Sequence, residues 1–231
     1  MNRSVKCSLG EKRCIWIIGL YFILYLFVLQ MLIVPAAAEH FGRTGADLSQ
    51  LLGMVLILFA AAAVCGTWLI RERDDFRKRR RFCLVLSLKY YGAMCAATLL
   101  LTFVLAGILA EPSAAQKADE ALMRSGSVSF LFGAAVFAPF MEELVFRVSM
   151  IRLISKRFGM PAGLVLNALI FGLLHIVSML PAVSAADLGW LVIYCGLGLI
   201  LSLAYVRSGS MFASVSAHIL YNLTAMIMMM L

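Results

Sequence analysis

The chain has 231 residues, of which 63% are hydrophobic and only 14% are charged, and its net charge is +8. A soluble domain is close to half apolar and about one quarter charged, so this composition excludes an ordinary soluble globular protein. It indicates a polytopic membrane protein. The basic residues lie in short runs between apolar segments, without an RNA-binding motif. We therefore expect them to face an anionic lipid leaflet, and we expect the lipid bilayer and no nucleic acid as partner.

Seven apolar segments predict an all-α, polytopic transmembrane helix bundle of about seven spans. The first segment ends in an alanine run that is typical of a signal-peptidase site, but its length of about 20 residues favours a membrane span over a cleaved signal. We divide the chain into residues 1–110, with three spans, and residues 128–231, with four. The predicted spans are residues 14–38, 48–70, a stretch within 83–110, 128–150, 161–180, 189–206 and 211–231.

Lysine and arginine residues orient this bundle. The most basic run is the predicted cytoplasmic loop 71–81, and most of the 20 basic residues lie on the same side of the membrane if the N-terminus is cytoplasmic. The exceptions are Arg43, Lys117 and Arg124. The positive-inside rule thus predicts a cytoplasmic N-terminus and, with seven spans, a C-terminus on the opposite side.

The six cysteines form no Cys-x-x-Cys pair, and most lie within or beside apolar segments. This pattern indicates small buried side chains rather than a zinc ribbon or a redox motif. They are Cys7, Cys14, Cys65, Cys83, Cys95 and Cys195.

Few strongly polar residues lie deep in the predicted spans, and three spans carry them. Charged groups inside a membrane are costly, so they are usually retained for binding or catalysis. Spans four, five and seven are therefore expected to meet around one polar cavity. The residues are Glu142, Glu143 and Arg147 in span four, Asn167 and His175 in span five, and His218 and Asn222 in span seven.

Helical spacing groups these residues further. Glu143 and Arg147 lie four residues apart and can form an ion pair, whereas Glu142 points about 100° away from Glu143. His218 and Asn222 also lie four apart and share a face. We interpret Asn167 as an interhelical hydrogen-bond partner with a structural role.

This set of side chains suits a hydrolase. A carboxylate in an apolar cavity can activate water as a general base, and histidine and asparagine can stabilise an oxyanion. No nucleophile elbow and no His-Glu-x-x-His motif occurs. A dispersed site of one glutamate and two histidines remains a candidate for zinc.

Three motifs on successive spans resemble one family. Glu142-Glu143-x-x-x-Arg147, Phe171-x-x-x-His175 and His218-x-x-x-Asn222 are similar to the motifs of the CPBP (CAAX protease and bacteriocin-processing, or Abi) intramembrane endopeptidases, which are related to the type II CAAX prenyl endopeptidase. The resemblance covers residues 128–231, and the segment up to residue 110 carries no motif.

The resemblance implies a role for each motif residue. Glu142 would activate water with help from His175, while His218 and Asn222 would stabilise the oxyanion. Three further residues would support the site: Glu143, Arg147 and Phe171. The family has been described both as metalloproteases and as metal-independent glutamate proteases. We favour the second because an asparagine suits an oxyanion better than zinc. Glu142, His175 and His218 are the alternative zinc ligands.

The resemblance further implies a multi-pass protein of the bacterial plasma membrane that cleaves a peptide or a membrane-anchored protein near the cytoplasmic face. In bacteria it suggests processing of peptide pheromones or bacteriocins, or immunity to bacteriocins. A non-enzymatic membrane scaffold or bacteriocin-immunity protein using the same cavity is the alternative. A transporter ranks lower because the chain lacks an inverted repeat.

The expected depths of the three helices do not agree. His218 and Glu142 lie about 10 Å from the cytoplasmic ends of their predicted spans, whereas His175 lies about 20 Å from the start of its span.

Overall fold

The computed structural model describes residues 9–107, 114–176 and 183–230, with side chains described for all of these except residues 114–116. Cys7, the ends of the third and fifth predicted spans and the last residue of the seventh lie outside the described residues. Within the described part the chain is helical without strands, which confirms the predicted all-α fold. Nine helices are described there: α1 (residues 11–41), α2 (residues 43–65), α3 (Thr67–Lys78), α4 (Arg80–Val104), α5 (Ala114–Arg124), α6 (Val128–Phe158), α7 (Met160–Ile176), α8 (Ala185–Ser208) and α9 (Met211–Met230).

A single glycine turns the first apolar stretch into a helical hairpin. Gly42 has φ 65° and ψ −164°, a conformation that interrupts the helix and that side chains other than glycine rarely adopt. After this break α2 returns along α1, and Gly53 lies so close to Leu29 that a side chain at Gly53 would overlap it. The first two predicted spans thus correspond to α1 and α2.

Five helical stretches are long and apolar enough to cross a membrane, judged on the described residues. The first contains both α1 and α2, and α7 is a shorter apolar helix. Every predicted span therefore has a helical counterpart, while the number that cross the membrane and the orientation of the N-terminus stay predictions. The five stretches are Glu11–Cys65, Arg80–Val104, Val128–Phe158, Ala185–Ser208 and Met211–Met230.

The basic segment predicted as a loop at residues 71–81 is largely helical, because it docks on the turn between α8 and α9. The carboxylate of Glu72 accepts the backbone N–H of Met211 at 2.7 Å, which caps α9. Arg79 donates to the carbonyl oxygen of Ser208 at 2.7 Å and so satisfies the end of α8. These two hydrogen bonds join α3 and the residue that follows it to the start of α9 and the end of α8.

Helices α6 and α7 form an antiparallel hairpin whose register brings Phe171 to Arg147. Gly159 has φ 84° at the turn. Ser155 and Gly163, equally far from that turn, are in contact. Two turns further on, the same spacing places Phe171 beside Arg147. Helix α6 runs to Phe158, past the predicted end of span four at residue 150, while the depths of the site residues in the membrane stay predictions.

Helix α6 lies at the centre of the bundle. Residues 141–149 are all buried, and apolar side chains of the surrounding helices cover them. The main core includes Tyr21 of α1, Phe146 of α6, Phe171 of α7, Tyr205 of α8 and Val215 of α9. Charged groups on this part of α6 must therefore find their partners within the protein.

Close packing of α7 on α8 completes the wall beside α6. A side chain at Gly172 would overlap the Cys195 sulfur, and Gly198 lies against the Phe171 ring. Small residues let helices approach closely in a membrane, where the lipid provides no hydrophobic force between them. The described cysteines Cys14, Cys65 and Cys83 are buried and Cys95 and Cys195 are half-buried, as expected for small packing residues.

Candidate active site

A carboxylate and a guanidinium are completely buried in the middle of α6. The side chains of Glu143 and Arg147 are both 0% exposed, and Arg147 Nε lies 3.5 Å from Glu143 Oε2. The Arg147 guanidinium lies over the Phe171 ring, 4.5 Å from its centroid, and donates to the carbonyl oxygen of Gly198 at 3.3 Å. Arg147 thus joins α6 to α7 and α8, and Phe171 supports it through a cation–π contact.

His218 of α9 lies between the two glutamates. Its Nδ1 is 3.1 Å from Glu143 Oε1, and because a carboxylate only accepts, this nitrogen donates. Its Nε2 is 3.8 Å from Glu142 Oε2. The sequence predicted separate tasks for the two glutamates, with Glu143 turned to Arg147. In the structure Glu143 contacts Arg147 and His218 together, so His218 links both carboxylates.

Glu142 is held from the opposite side by α1. The Tyr21 hydroxyl donates to Glu142 Oε1 at 3.4 Å, and both side chains are buried. The other oxygen, Oε2, has no hydrogen-bond donor among the described residues. Glu142 therefore keeps one oxygen available for a further donor.

Several polar atoms of this cluster lack hydrogen-bond partners within the described part of the chain. Buried polar atoms without partners are rare in proteins and call for an explanation, such as a functional role. Two of them, Glu143 Oε2 and Arg147 Nε, face each other at 3.5 Å in the ion pair, whereas Glu142 Oε2 lies 3.8 Å from His218 Nε2. Among the described residues, the atoms of this cluster without partners are Glu142 Oε2, Glu143 Oε2, Arg147 Nε and Arg147 Nη1.

His175 is half-buried at the end of α7. Its Nδ1 is 2.8 Å from the Phe171 carbonyl oxygen, and since a carbonyl only accepts, Nδ1 carries the proton. In the neutral imidazole this leaves Nε2 as an acceptor. The ring stacks on Tyr194 of α8, with centroids 4.4 Å apart and planes 23° apart, which fixes its orientation.

Asn222 lies one turn beyond His218 on the same face of α9. Its amide donates to the carbonyl oxygen of Ala134 on α6 at 2.9 Å. An asparagine amide has two N–H groups, so one donor remains after this bond. Asn167 is fully buried and donates to Ser202 on α8 at 2.9 Å, in line with the structural role expected for it.

The candidate zinc ligands do not form a ligand group. Within the described residues, no three His, Cys, Asp or Glu side chains are arranged to hold a metal ion. Glu142 Oε2 and His218 Nε2 are neighbours at 3.8 Å, but no hydrogen bond or ion pair joins His175 to either residue within the described part of the chain. These three residues do not fit a zinc site in this arrangement.

Comparison with known proteins identifies the region that contains these residues. Residues 124–224 match the model of the family described as type II CAAX prenyl endopeptidase Rce1-like. We call residues 124–224 the Rce1-like domain, and this match is consistent with the CPBP family. A search of curated proteins and a search of solved structures find no match to the chain.

The Rce1-like domain contains every residue of the three motifs that the sequence singled out. The proteins of the matched family are CAAX prenyl endopeptidases, which are hydrolases. The match therefore supports an intramembrane protease of the CAAX type. Together with the long apolar helices, this makes the chain an integral membrane protein. The matched region also includes α6 to α8 and most of α9.

Three contacts of the site were not predicted from the sequence. Tyr21 reaches Glu142 from α1, Tyr194 stacks on His175 from α8, and the Gly198 carbonyl accepts from Arg147. A backbone carbonyl leaves no trace in the sequence. Tyr21 and Tyr194 give a weak signal in the sequence, since a phenol hydroxyl inside an apolar span needs a hydrogen-bond partner.

Proposed function

We propose that this protein is an intramembrane endopeptidase in which Glu142 activates a water molecule for attack on a peptide bond. The observation that carries the proposal is Glu142 Oε2, a buried carboxylate oxygen without a donor among the described residues, 3.8 Å from His218 Nε2. A general base must have a free lone pair at the position of the reacting water, and this oxygen has one.

In the proposed reaction Glu142 takes a proton from water while the water oxygen attacks the peptide carbonyl carbon. The new carbon–oxygen bond moves the carbonyl electron pair onto its oxygen. When that pair returns, the carbon–nitrogen bond breaks, and Glu142 passes its proton to the leaving amine. The products are a carboxylic acid and an amine, which become a carboxylate and an ammonium when one proton passes between them, and the glutamate ends as it began.

The residues of α9 are suited to the negative charge that develops on the carbonyl oxygen. His218 Nε2, when protonated, and the second N–H of Asn222 can both donate to it. Such prepositioned donors are a major source of rate enhancement in acyl transfer. Glu143 accepts from His218 Nδ1 and so favours a ring orientation in which Nε2 faces Glu142.

His175 and Arg147 support the same step in different ways. The Nε2 of His175 is an acceptor and can hold the second hydrogen of the attacking water. Arg147 balances the charge of one of the two carboxylates, which lowers the cost of keeping both ionised in a dry interior. We place the opening of the site on the cytoplasmic side because the basic segment at α3 and the basic end of α6 lie toward one face.

The substrate class we propose is a peptide or membrane-anchored protein tail in the plasma membrane of a bacterium. The Rce1-like match makes a farnesylated peptide ending in a Cys-aliphatic-aliphatic-X sequence the first probe. The experiment incubates the purified protein in liposomes with this quenched-fluorescent peptide and with the same peptide lacking the farnesyl group. We expect a cleavage product of defined mass from at least one of them.

A matched pair of variants separates enzyme from scaffold. Glu142→Gln keeps the shape of the side chain but removes the base, whereas Glu120→Gln changes a solvent-facing carboxylate on α5 that pairs with Arg124. We expect normal cleavage with Glu120→Gln and a kcat lower by about 10²–10⁴-fold with Glu142→Gln. Binding of both peptides without any cleavage by the wild-type protein would instead support the scaffold or immunity alternative and would overturn the proposal.

A further inference from the structure

The first helix contributes a side chain to the site although it lies outside the Rce1-like match. Cys14, Ile17 and Tyr21 are buried on one face of α1, with exposed fractions of 0%, 0% and 6%. Their spacing places them on one helix face, and this face packs on the segment of α6 that carries Glu143 and Arg147. An ion pair between Glu11 at the start of α1 and Lys156 near the end of α6 joins the same two helices.

Tyr21 is oriented by aromatic neighbours on both sides. Its ring lies edge-on to the Phe146 ring, with centroids 6.2 Å apart, and is tilted against Tyr25 at 5.5 Å. This packing leaves the hydroxyl few directions, and the partner it reaches is Glu142 Oε1 at 3.4 Å. A hydroxyl buried beside a carboxylate is a donor, since the ionised carboxylate only accepts.

We propose that Tyr21 is a positioning residue for the reaction, and this inference rests on the proposed function of Glu142 as the base. By donating to Oε1 it distinguishes the two carboxylate oxygens and keeps Oε2 toward His218. Without that donor the carboxylate can rotate about its last bond, and Oε2 is no longer held where water is activated. The active site then consists of the Rce1-like domain together with α1.

The contact is longer than a strong O–H···O hydrogen bond, so Tyr21 should tune the reaction rather than be essential to it. Removing one donor to a charged acceptor is expected to lower kcat about tenfold. The Michaelis constant should stay within about twofold, because Tyr21 contacts the base and not the peptide.

The chain offers a matched control one turn along the same helix. Tyr25 is also a partly buried tyrosine, with its ring 4.5 Å from that of Phe137, and among the described contacts it is Tyr21 rather than Tyr25 that donates to Glu142. Tyr21→Phe and Tyr25→Phe each remove a single hydroxyl and keep a ring. A purely structural role for the tyrosines predicts that both variants lose stability, whereas positioning predicts a change of kcat in one alone.

The experiment measures kcat, KM and the unfolding temperature of the full-length protein in liposomes, with the farnesylated peptide as probe. We expect Tyr21→Phe to lose about tenfold in kcat with KM unchanged, and Tyr25→Phe to stay within about twofold of the wild type.

Three results would overturn the inference on Tyr21. The first is equal kcat for the two variants, the second is a loss for Tyr21→Phe confined to KM, and the third is a loss that tracks a lower unfolding temperature. Each of these leaves the proposed function intact as long as the wild type cleaves and Glu142→Gln has the lower kcat expected for it. If Glu142→Gln cleaves normally, the proposed function itself fails, whatever Tyr21→Phe shows.

Discussion

Removing Arg147 should destabilise the protein strongly, because it leaves Glu143 as a buried charge without its counterion. Both side chains are 0% exposed, so water cannot replace the missing partner. Breaking a buried pair in this way typically costs about 3–5 kcal/mol. For a chain of this length each kcal/mol shifts the unfolding temperature by about 2–4 °C. We therefore expect Arg147→Ala to unfold about 6–20 °C below the wild type.

Removing both charges together should cost less stability than removing Arg147 alone. Several polar atoms of Glu143 and Arg147 lack hydrogen bonds among the described residues, so the pair is imperfectly satisfied. Glu143→Gln can still accept from His218, and Met can fill much of the volume of Arg147. The double variant Glu143→Gln/Arg147→Met should recover at least half of the loss seen with Arg147→Ala.

A thiol-reactive fluorophore measures the unfolding temperature directly, since the buried cysteines react when the bundle opens. Cys14, Cys65 and Cys83 are buried and lie on three different helices. Arg81→Ala, which changes an exposed arginine, is the control and should stay within about 2 °C of the wild type. The reasoning would be refuted if Arg147→Ala matched Arg81→Ala, or if the double variant were no more stable than Arg147→Ala.

Three further predictions concern pH, metal and topology. Burial raises the pKa of Asp119 on α5 to about 6, so its contribution to stability is complete below about pH 4 and is lost as the pH rises through about 6. Asp119→Asn should thus unfold about 2–5 °C above the wild type at pH 8 and level with it at pH 4; equal curves at both pH values would contradict this. Because Glu142, His175 and His218 form no ligand group, a chelator should leave cleavage within about twofold, and added zinc should not raise the unfolding temperature. Activity lost with chelator and restored by zinc would reverse our preference for a metal-independent reaction. A reporter fused after Leu231 should behave as non-cytoplasmic, since seven spans from a cytoplasmic N-terminus end outside; a cytoplasmic signal would mean that the span count is wrong.

The sequence allowed the helices and the grouping of the candidate site residues on them to be predicted because membrane proteins separate apolar and charged residues sharply. Apolar runs marked each helix, and the rarity of charges inside them singled out Glu142, Glu143 and Arg147. Spacing by one helical turn predicted that Glu143 and Arg147 would be neighbours, which they are at 3.5 Å.

The sequence did not allow the long-range contacts to be predicted, because they depend on how helices are aligned. The contact of Phe171 with Arg147 follows from the turn at Gly159, and the contact of Tyr21 with Glu142 depends on α1 packing against α6. The segment 71–81 was predicted to be a loop because charged residues dominate it. Glu72, which caps α9, is one acidic residue among these charges, and nothing in the pattern distinguishes it. Local patterns of residues do not contain this information.

The most direct test of the central claim is the rate of peptide cleavage by Glu142→Gln relative to Glu120→Gln, in liposomes and at equal amounts of folded protein. Loss of the general base should lower kcat by about 10²–10⁴-fold for Glu142→Gln, with no comparable change for Glu120→Gln. A Glu142→Gln variant that cleaves within tenfold of the control would contradict the claim that this glutamate activates the water.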